Sequence, residues 1–507
     1  MLVTKSVGSS GRWVLLAAWV AMAGCGGVSV EPRGDGGADS GSAKSSGAGS
    51  GSPKSSGAGP GGVANPKEPG GGGAAGGSSA GNPVTEPGGA SGGSAPNQYP
   101  GRGFIVHEWG TDTVVVGSDG TLQRGLQHEE EDLPAFVYDR MKAGPLLGTE
   151  PSVTIKMETP VTYFYSDAPL QVEASVQFPK GVLTQWYPAV TSFSPAIAAP
   201  TAVAAHTGAA TSYGDPTLDP SFPFMSDECR DKFATLKDGR LDWGRFAVLP
   251  AGTAVPAPAA SLEQFSWSYA RDVAANPISM ANGEAEKFLF YRGLGEFELP
   301  VSVKSSSGGK VALKNDYAES IGRVFVVNVD AERGAFTEHT QGIAPGGVLD
   351  DTAPSLASAP GIDAYAEELA GRVTSALGAS GLYDDEARAM VNTWKRQWFR
   401  TPGLRVLYLM PQSWTEASIP LSISPKPEQT LRVMLIRVEL ITPEQEAADV
   451  AAVKSFDAAP QVAAAYFDAL GRFEEPRLRR ALVLWPSAGG SQYLASIQSK
   501  AAALMGE

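Results

Sequence analysis

Residues 104–116 read Phe-Ile-Val-His-Glu-Trp-Gly-Thr-Asp-Thr-Val-Val-Val, and this stretch gives the clearest indication of the fold. It consists of two runs, 104–109 and 111–116, separated by Gly110, and turn-forming residues follow at 118–120. Runs rich in β-branched and aromatic residues that end at turn signals are typical of strands. The sequence therefore predicts β-structure at the start of the folded part.

Similar patterns recur over the next two hundred residues. Apolar residues alternate with polar ones, which indicates strands with two different faces. The further stretches predicted as strands are 153–165, 170–178, 297–303, 311–313 and 324–329. Serine and glycine at 305–309 predict a hairpin between the third and fourth of these stretches.

The last third of the sequence has a mixed pattern. Apolar residues at helical spacing predict one helix from Ile362 to Leu377, with Gly378 as its C-cap, and a second helix that starts at Asp384. Residues 404–410 and 431–441 are almost continuously apolar, which is typical of central strands. We therefore predict the α+β class: a mainly antiparallel, sandwich-like β-rich core with several helices in the C-terminal third.

Residues 26–98 have a different composition. They contain 24 of the 60 glycines, and most of the rest is Ser, Ala, Pro and Asn. A segment with so little apolar surface cannot offset its chain entropy, so we expect a disordered tether that spans roughly 45–50 Å. Chance matches to G-x-S-x-G within it lack the flanking strand and helix that this motif requires.

The N-terminus is typical of a targeting segment. Lys5 and Arg12 precede a short apolar run at residues 13–21, which fits the apolar region of a signal peptide. Met22-Ala23-Gly24-Cys25 then resembles the bacterial lipobox. This resemblance implies lipidation of Cys25 and a lipid-anchored protein of the cell envelope, at the outer membrane; the alternative is an ordinary signal peptide and a free secreted product.

These boundaries predict four regions: a lipoprotein signal peptide at 1–25, the tether at 26–98, a β-rich region at 99–350, and an α+β region packed on it at 351–507. The net charge is −14, which argues against a general nucleic-acid-binding protein. Two cysteines exclude a disulfide-rich scaffold. If Cys25 carries lipid, Cys229 is the remaining thiol, either a buried inert side chain or a nucleophile that would need a histidine.

Four residues are candidates for metal binding or acid–base chemistry. His107 and Glu108 combine a metal ligand with a base, but neighbours on a strand point to opposite faces. His128 opens an acidic run that could supply ligands for Zn²⁺ or Ca²⁺, or be a solvated loop. Glu158 interrupts an apolar strand and needs a partner if it is buried.

Several motifs together resemble an uncharacterised family of bacterial envelope proteins with a His-Glu-Trp-Gly-Thr motif. The family pattern continues with Phe-Thr, whereas this chain has Asp112 in place of the phenylalanine. The resemblance implies one folded unit over most of residues 103–445, with no activity attached. The matching segments are His107-Glu108-Trp109-Gly110-Thr111, Met157-Glu158-Thr159-Pro160-Val161, Phe290-Tyr291-Arg292-Gly293 and Glu386-Ala387-Arg388-Ala389-Met390.

Two functional hypotheses follow. In the first, the protein is a surface-tethered lipoprotein whose folded part binds a protein or an envelope polymer, or serves as a structural module, and contacts the membrane through its lipid alone. In the second, it is a metal-dependent extracytoplasmic hydrolase that uses the region of His107, Glu108 and His128. The sequence identifies no cofactor.

Overall fold

Strand β1, the stretch that opened the sequence analysis, is buried along its whole length. The computed structural model describes residues 98–504, without 102, 127–130, 132, 140–152, 195–236 and 259–264. The predicted signal peptide, almost all of the predicted tether, Cys25, His128 and Cys229 lie outside these described residues. The strands are, in chain order, β1 (Phe104–Val116), β2 (Tyr138–Asp139), β3 (Ile155–Ser166), β4 (Leu170–Phe178), β5 (Gly181–Tyr187), β6 (Ser192–Ser194), β7 (Gly239–Val248), β8 (Ile278–Ser279), β9 (Ala285–Glu286), β10 (Phe288–Gly295), β11 (Val301–Ser306), β12 (Lys310–Asn315), β13 (Val324–Val329), β14 (Gly334–His339), β15 (Val348–Thr352), β16 (Gly403–Met410), β17 (Leu421–Ser424) and β18 (Gln429–Leu440).

The largest sheet has nine strands in the order β14-β13-β16-β18-β1-β3-β10-β5-β2. β1 pairs in parallel with β18, and the other pairs in this sheet are antiparallel. One side of this sheet consists of strands from the second half of the folded part and the other side of strands from the first half, and the two sets join at the β18–β1 pair, so both halves share a core.

Two further sheets complete the β-structure. One has the order β17-β4-β7-β8-β9, with β6 paired to β7, and it packs on the nine-stranded sheet. Phe164 contacts Phe246 across this interface at a ring-centroid distance of 5.4 Å, and Tyr291 contacts Trp243 at 6.1 Å. We call this face of the nine-stranded sheet the sandwich side. The third sheet is small, with the order β11-β12-β15.

Helices cover the opposite face, which we call the helix side. The helices of the described chain are α1 (Ile362–Ala379), α2 (Asp384–Arg400), α3 (Gln412–Ser418), α4 (Pro443–Ser455), α5 (Pro460–Asp468), α6 (Glu474–Leu484) and α7 (Ala488–Leu504), with 3₁₀ helices at Ser266–Asp272 and Gly471–Phe473. α2 carries an apolar stripe that includes Met390, Trp394 and Trp398, all buried. Covered on both faces, β1 is buried along its whole length, so its polar residues, which include His107 and Glu108, are buried as well.

Helices α4 to α7 enclose a second, smaller core around Phe456, Phe467 and Leu478. Two contacts tie this group to the turn after β1. Arg480 Nη2 lies 3.1 Å from Asp119 Oδ2, and the Ser118 backbone N–H donates to Glu446 Oε1 at 3.0 Å. The C-terminal helices are therefore attached to the turn that follows β1.

β1 and β3 meet at a bulge. Trp109 pairs with Val161 and Thr111 with Glu158, so two residues of β3 lie opposite Gly110 alone. One of the two, Thr159, has a φ of 48°, which is strained for a β-branched residue. A Cβ at position 110 would lie 3.0 Å from Pro160 Cα, so this close approach of the backbones needs glycine.

The predicted α+β class is confirmed: the sheets are mostly antiparallel, and helices concentrate in the C-terminal third. Two details of the prediction are wrong. The strand predicted at 297–303 begins only at Val301 and continues to Ser306, and the C-cap of the first helix is not Gly378. α1 ends at Ala379 with Ser380 as C-cap, and the glycine with a positive φ is Gly381, at 104°, not Gly378. Leu382 and Tyr383 must turn sharply toward α2, and the left-handed residue lies at that turn. Among the described residues, no helix has both the length and the apolar character needed to cross a membrane.

Candidate functional site

His107 lies on the helix side of β1, where it meets α2. Its Nδ1 is 2.9 Å from Glu386 Oε2, and the Tyr165 hydroxyl donates to Glu386 Oε1 at 2.7 Å. The Tyr383 backbone N–H donates to the same carboxylate, and its ring packs on the imidazole with centroids 4.4 Å apart. A carboxylate that orients a histidine is a common catalytic arrangement, but His107 is only 1% exposed. The geometry therefore favours a link between strand and helix.

Glu108 points to the sandwich side, and its carboxylate is fully engaged. Arg432 Nε and Nη2 donate to its Oε1 at 2.8 and 2.6 Å. Thr162 and Tyr291 hydroxyls donate to its Oε2 at 2.8 and 2.7 Å. Burial lowers the pKa of Arg432, but the Glu108 carboxylate outweighs burial and raises it, so the guanidinium stays charged. No lone pair direction is left over for a metal ion.

Glu158 lies beside the bulge on β3. Its Oε1 accepts hydrogen bonds from the Thr113 hydroxyl and from Arg472 Nη2, both at 2.8 Å. Burial raises the pKa of this carboxyl, but the charges of Arg472, Lys156 and Arg292 outweigh burial and lower it to about 2. Glu158 is thus an ionised partner of buried cations.

The structure does not bring the three described candidates together. His107 and Glu108 occupy opposite faces, as alternation along a strand requires, and Glu158 has its own cationic partners. His128, the fourth candidate, is outside the described residues. Within the part of the chain that the structure describes, no group of three or more His, Cys, Asp or Glu side chains could hold a metal ion.

Of the acidic run at residues 128–132, the structure describes Glu131. Its Oε1 accepts a hydrogen bond from the Ser266 backbone N–H at 2.6 Å, and Gln397 Nε2 donates to its Oε2 at 3.1 Å. It therefore caps the start of the 3₁₀ helix Ser266–Asp272 and connects it to α2.

The four segments that carry the family resemblance meet in space. They lie on β1, β3, β10 and the first turns of α2, and β3 pairs with both β1 and β10. Glu386 and Arg432, the main partners of His107 and Glu108, were not identified from sequence. Arg432 could have been, because a charge within the apolar run 431–441 signals a buried ion pair.

Neither carboxylate oxygen of Asp112 on β1 has a hydrogen-bond partner among the described residues. Its strand neighbours in the sheet are Met157 and Ile436. Burial, together with the charge of Glu158, raises the pKa of Asp112 to about 8. This is the position where the resembled family has phenylalanine, and the surroundings remain suited to an apolar side chain.

A groove of about 580 Å³ opens between the end of β1 and β11. This volume is in the range of ligand-binding clefts. We call it the β11 groove. Its lining residues are Val114, Val116, Asp119, Gly120, Thr121, Leu122, Arg124, Thr154, Glu296, Phe297, Glu298, Leu299, Val301, Ser302, Val303, Lys304 and Val438.

The β11 groove has an apolar floor and a charged rim. Valines from β1, β11 and β18 form the floor, with half-buried Phe297 and Leu299 beside them. On the rim, Arg124 Nη2 lies 2.8 Å from Glu296 Oε1, and this exposed pair contributes little stability. Burial raises the pKa of Asp119, but the Thr121 N–H and Arg480 outweigh burial and keep the pKa low. No sequence pattern predicts this groove, because its walls come from segments far apart in the chain.

Comparison with known proteins does not assign this chain to a family. No protein-family model and no curated protein matches the chain. Solved structures that are similar in part include the yeast delta-COP-I mu-homology domain, alone and in complex with a Dsl1 WxWxV peptide. Both are 8% identical, with TM-scores of 0.24 and 0.23; the matches cover 67% and 66% of this chain and 97% and 96% of the other. At these TM-scores the likeness supports no conclusion about fold or function.

Proposed function

We propose that this protein is a lipid-anchored protein of the bacterial cell envelope whose folded part binds a partner through the β11 groove. The observation that carries the binding role is the groove itself: half-buried Leu122, Phe297 and Leu299 lie over a layer of buried valines, with charged groups around them. A surface of this kind suits recognition, since apolar contacts supply affinity and rim charges supply orientation.

The buried polar residues of β1 and β3 favour binding over hydrolysis. His107, Glu108 and Glu158 are each hydrogen-bonded within the core, and none lines the β11 groove. Their contacts with Glu386, Arg432 and Arg472 connect β1 and β3 with α2, β18 and the C-terminal helices. They hold in place the sheet from which the groove floor is built.

Site-specific photocrosslinking tests the binding role. With benzoylphenylalanine in place of Ser302, at the groove, the full-length protein in intact cells should form a discrete crosslinked product. The matched control carries the same group at Arg388, whose side chain is exposed on α2. Equal crosslinking at both positions, or none at Ser302, would contradict a binding role for the groove.

Replacement of Cys25 with serine tests the anchor. The lipobox resemblance requires a thiol at this position for lipid attachment, and several acyl chains are needed for stable anchoring. We expect the C25S protein to move from the membrane fraction to the soluble fraction, whereas Cys229→Ser should stay with the membrane. Retention of the C25S protein in washed membranes would refute the lipid anchor.

A further inference from the structure

The strand β11 forms one wall of the β11 groove and is an edge of its sheet. In the described part of the chain it pairs with β12 on one side only. In an antiparallel pair, alternate residues direct their backbone N–H and C=O groups toward the partner strand and away from it. The residues of β11 that face outward therefore decide what the groove offers to a ligand.

The direction of each residue follows from bonds at the two ends of the hairpin. The Ser305 N–H donates to Ser118 O at 3.0 Å, so Ser305 faces away from β12. Val301 and Val303 share its parity and line the groove. On β12, the Asn315 N–H donates to Gly347 O, which confirms that these odd-numbered positions do not bond across the β11–β12 pair. The backbone groups of Val301 and the N–H of Val303 thus point into the groove.

The outward edge has a defined end. A Cβ at Gly120 would lie 3.0 Å from Val303 O, so the turn after β1 closes the edge at that carbonyl. Among the residues that the structure describes, two N–H groups and one C=O of this edge remain without a strand partner: both backbone groups of Val301 and the N–H of Val303. They lie directly beside the apolar floor. Main-chain groups next to apolar pockets are the two components by which proteins bind an added strand.

Charge indicates which peptide would fit. The rim carries carboxylates at Asp119, Glu296 and Glu298. Asp119 pairs with Arg480 at 3.1 Å and Glu296 with Arg124 at 2.8 Å, so the rim itself is close to neutral, whereas the whole chain has a net charge of −14. Lysine or arginine beside the bound segment would therefore be favoured in approach by the field of the whole protein.

We propose that an extended segment of a partner protein, apolar at alternate positions and flanked by lysine or arginine, binds by adding a strand to β11. This inference rests on the proposed binding function and specifies its ligand. The added strand would exchange hydrogen bonds with Val301 and accept one from the Val303 N–H. Its apolar side chains would pack on the floor between β1 and β11.

A peptide library provides the probe. Its members are heptapeptides with lysine at both ends, threonine or serine at positions 3 and 5, and Val, Ile, Leu, Phe, Tyr or Trp at positions 2, 4 and 6. We expect the full-length protein to select members of this library, and to select none from a matched library with glutamate at both ends. No selection from the lysine library would overturn the proposed strand addition.

Substitutions at Val301 separate main-chain pairing from side-chain contact. Val301→Pro removes the outward N–H without removing a bond to β12, and proline is tolerated on an outward-facing edge. Val301→Ala removes the side chain and keeps the N–H. We expect V301P to weaken binding of a selected peptide at least tenfold, and V301A by less than threefold. Equal losses would overturn strand addition and leave the groove as a binding site of another type.

Amide hydrogen exchange at single-residue resolution tests the same point without a variant. The selected peptide should slow exchange at Val301 and Val303, while Ser302 and Lys304, already bonded to β12, should change little. Protection without this alternation would contradict strand addition. If crosslinking at Ser302 nevertheless yields a specific product, the proposed function stands and only the mode of binding is wrong.

Discussion

Replacement of Glu108 with leucine should lower the free energy of unfolding by about 3–5 kcal/mol, because it leaves a charged arginine buried without its partner. Glu108 and Arg432 each have side chains only 1% exposed. The carboxylate also accepts hydrogen bonds from Thr162 and Tyr291, and these donors would lose their acceptor. Urea denaturation of the variant and the wild type measures the difference.

The double variant gives the decisive comparison. In E108L/R432L no buried charge remains, so its free energy of unfolding should be closer to that of the wild type than either single variant's. The exposed pair of Glu173 and Arg245, with side chains 52% and 70% exposed, is the matched control. Glu173→Leu should change the free energy of unfolding by less than about 1 kcal/mol. Additive losses in the double variant would show that the buried pair is not coupled.

Asp112 should make the folded state less stable as pH rises. Its pKa is about 8 in the folded protein and has an ordinary value of 3.8, so the folded state binds the extra proton between these values. Stability is therefore full below about pH 4 and falls as pH rises to 8. Asp112→Asn should be close to wild type in free energy of unfolding at pH 5 and more stable by ~3–5 kcal/mol at pH 9.

Comparison at fixed pH isolates this carboxyl. Glu158 has a lowered pKa, and its contribution changes only below about pH 4.5, outside the range used. Asp457→Asn, at an exposed position of the C-terminal helices, is the control and should leave the pH dependence unchanged. Parallel curves for wild type and D112N between pH 5 and 9 would refute an un-ionised Asp112. The Asp112→Phe variant introduces the phenylalanine of the His-Glu-Trp-Gly-Thr-Phe-Thr pattern, and its free energy of unfolding would show whether the site accepts the ring.

The strands could be predicted from sequence because their signal is local. Alternation and turn residues locate β3, β4, β12 and β13 within about two residues. The parallel pairing of β1 with β18 could not be predicted, since more than three hundred residues separate them and nothing local specifies register. The sequence does not predict α6, because charged residues that form buried ion pairs interrupt its apolar stripe.

For the candidate site, the sequence indicated which residues need partners but not what the partners are. Glu158 was correctly expected to need one if buried, and Arg472 supplies it from the far end of the chain. The groove is different again. Val114, Leu299 and Val438 are ordinary strand residues in sequence, and only their assembly around an edge with outward N–H groups makes a candidate binding surface.

The bulge opposite Gly110 changes which residues of β3, even-numbered or odd-numbered, face the helix side. Before it, the even-numbered residues of β3, Lys156 and Glu158, face the helices; after it, the odd-numbered Tyr163 and Tyr165 do so. If Thr159 alone were deleted, one of these two sets of side chains would point to the sandwich side instead of the helix side. The deletion would place either the charges of Lys156 and Glu158 or the two tyrosines between the sheets. Length at this point is therefore constrained as tightly as the glycine at position 110, and substitutions of Thr159 will be tolerated where its deletion will not.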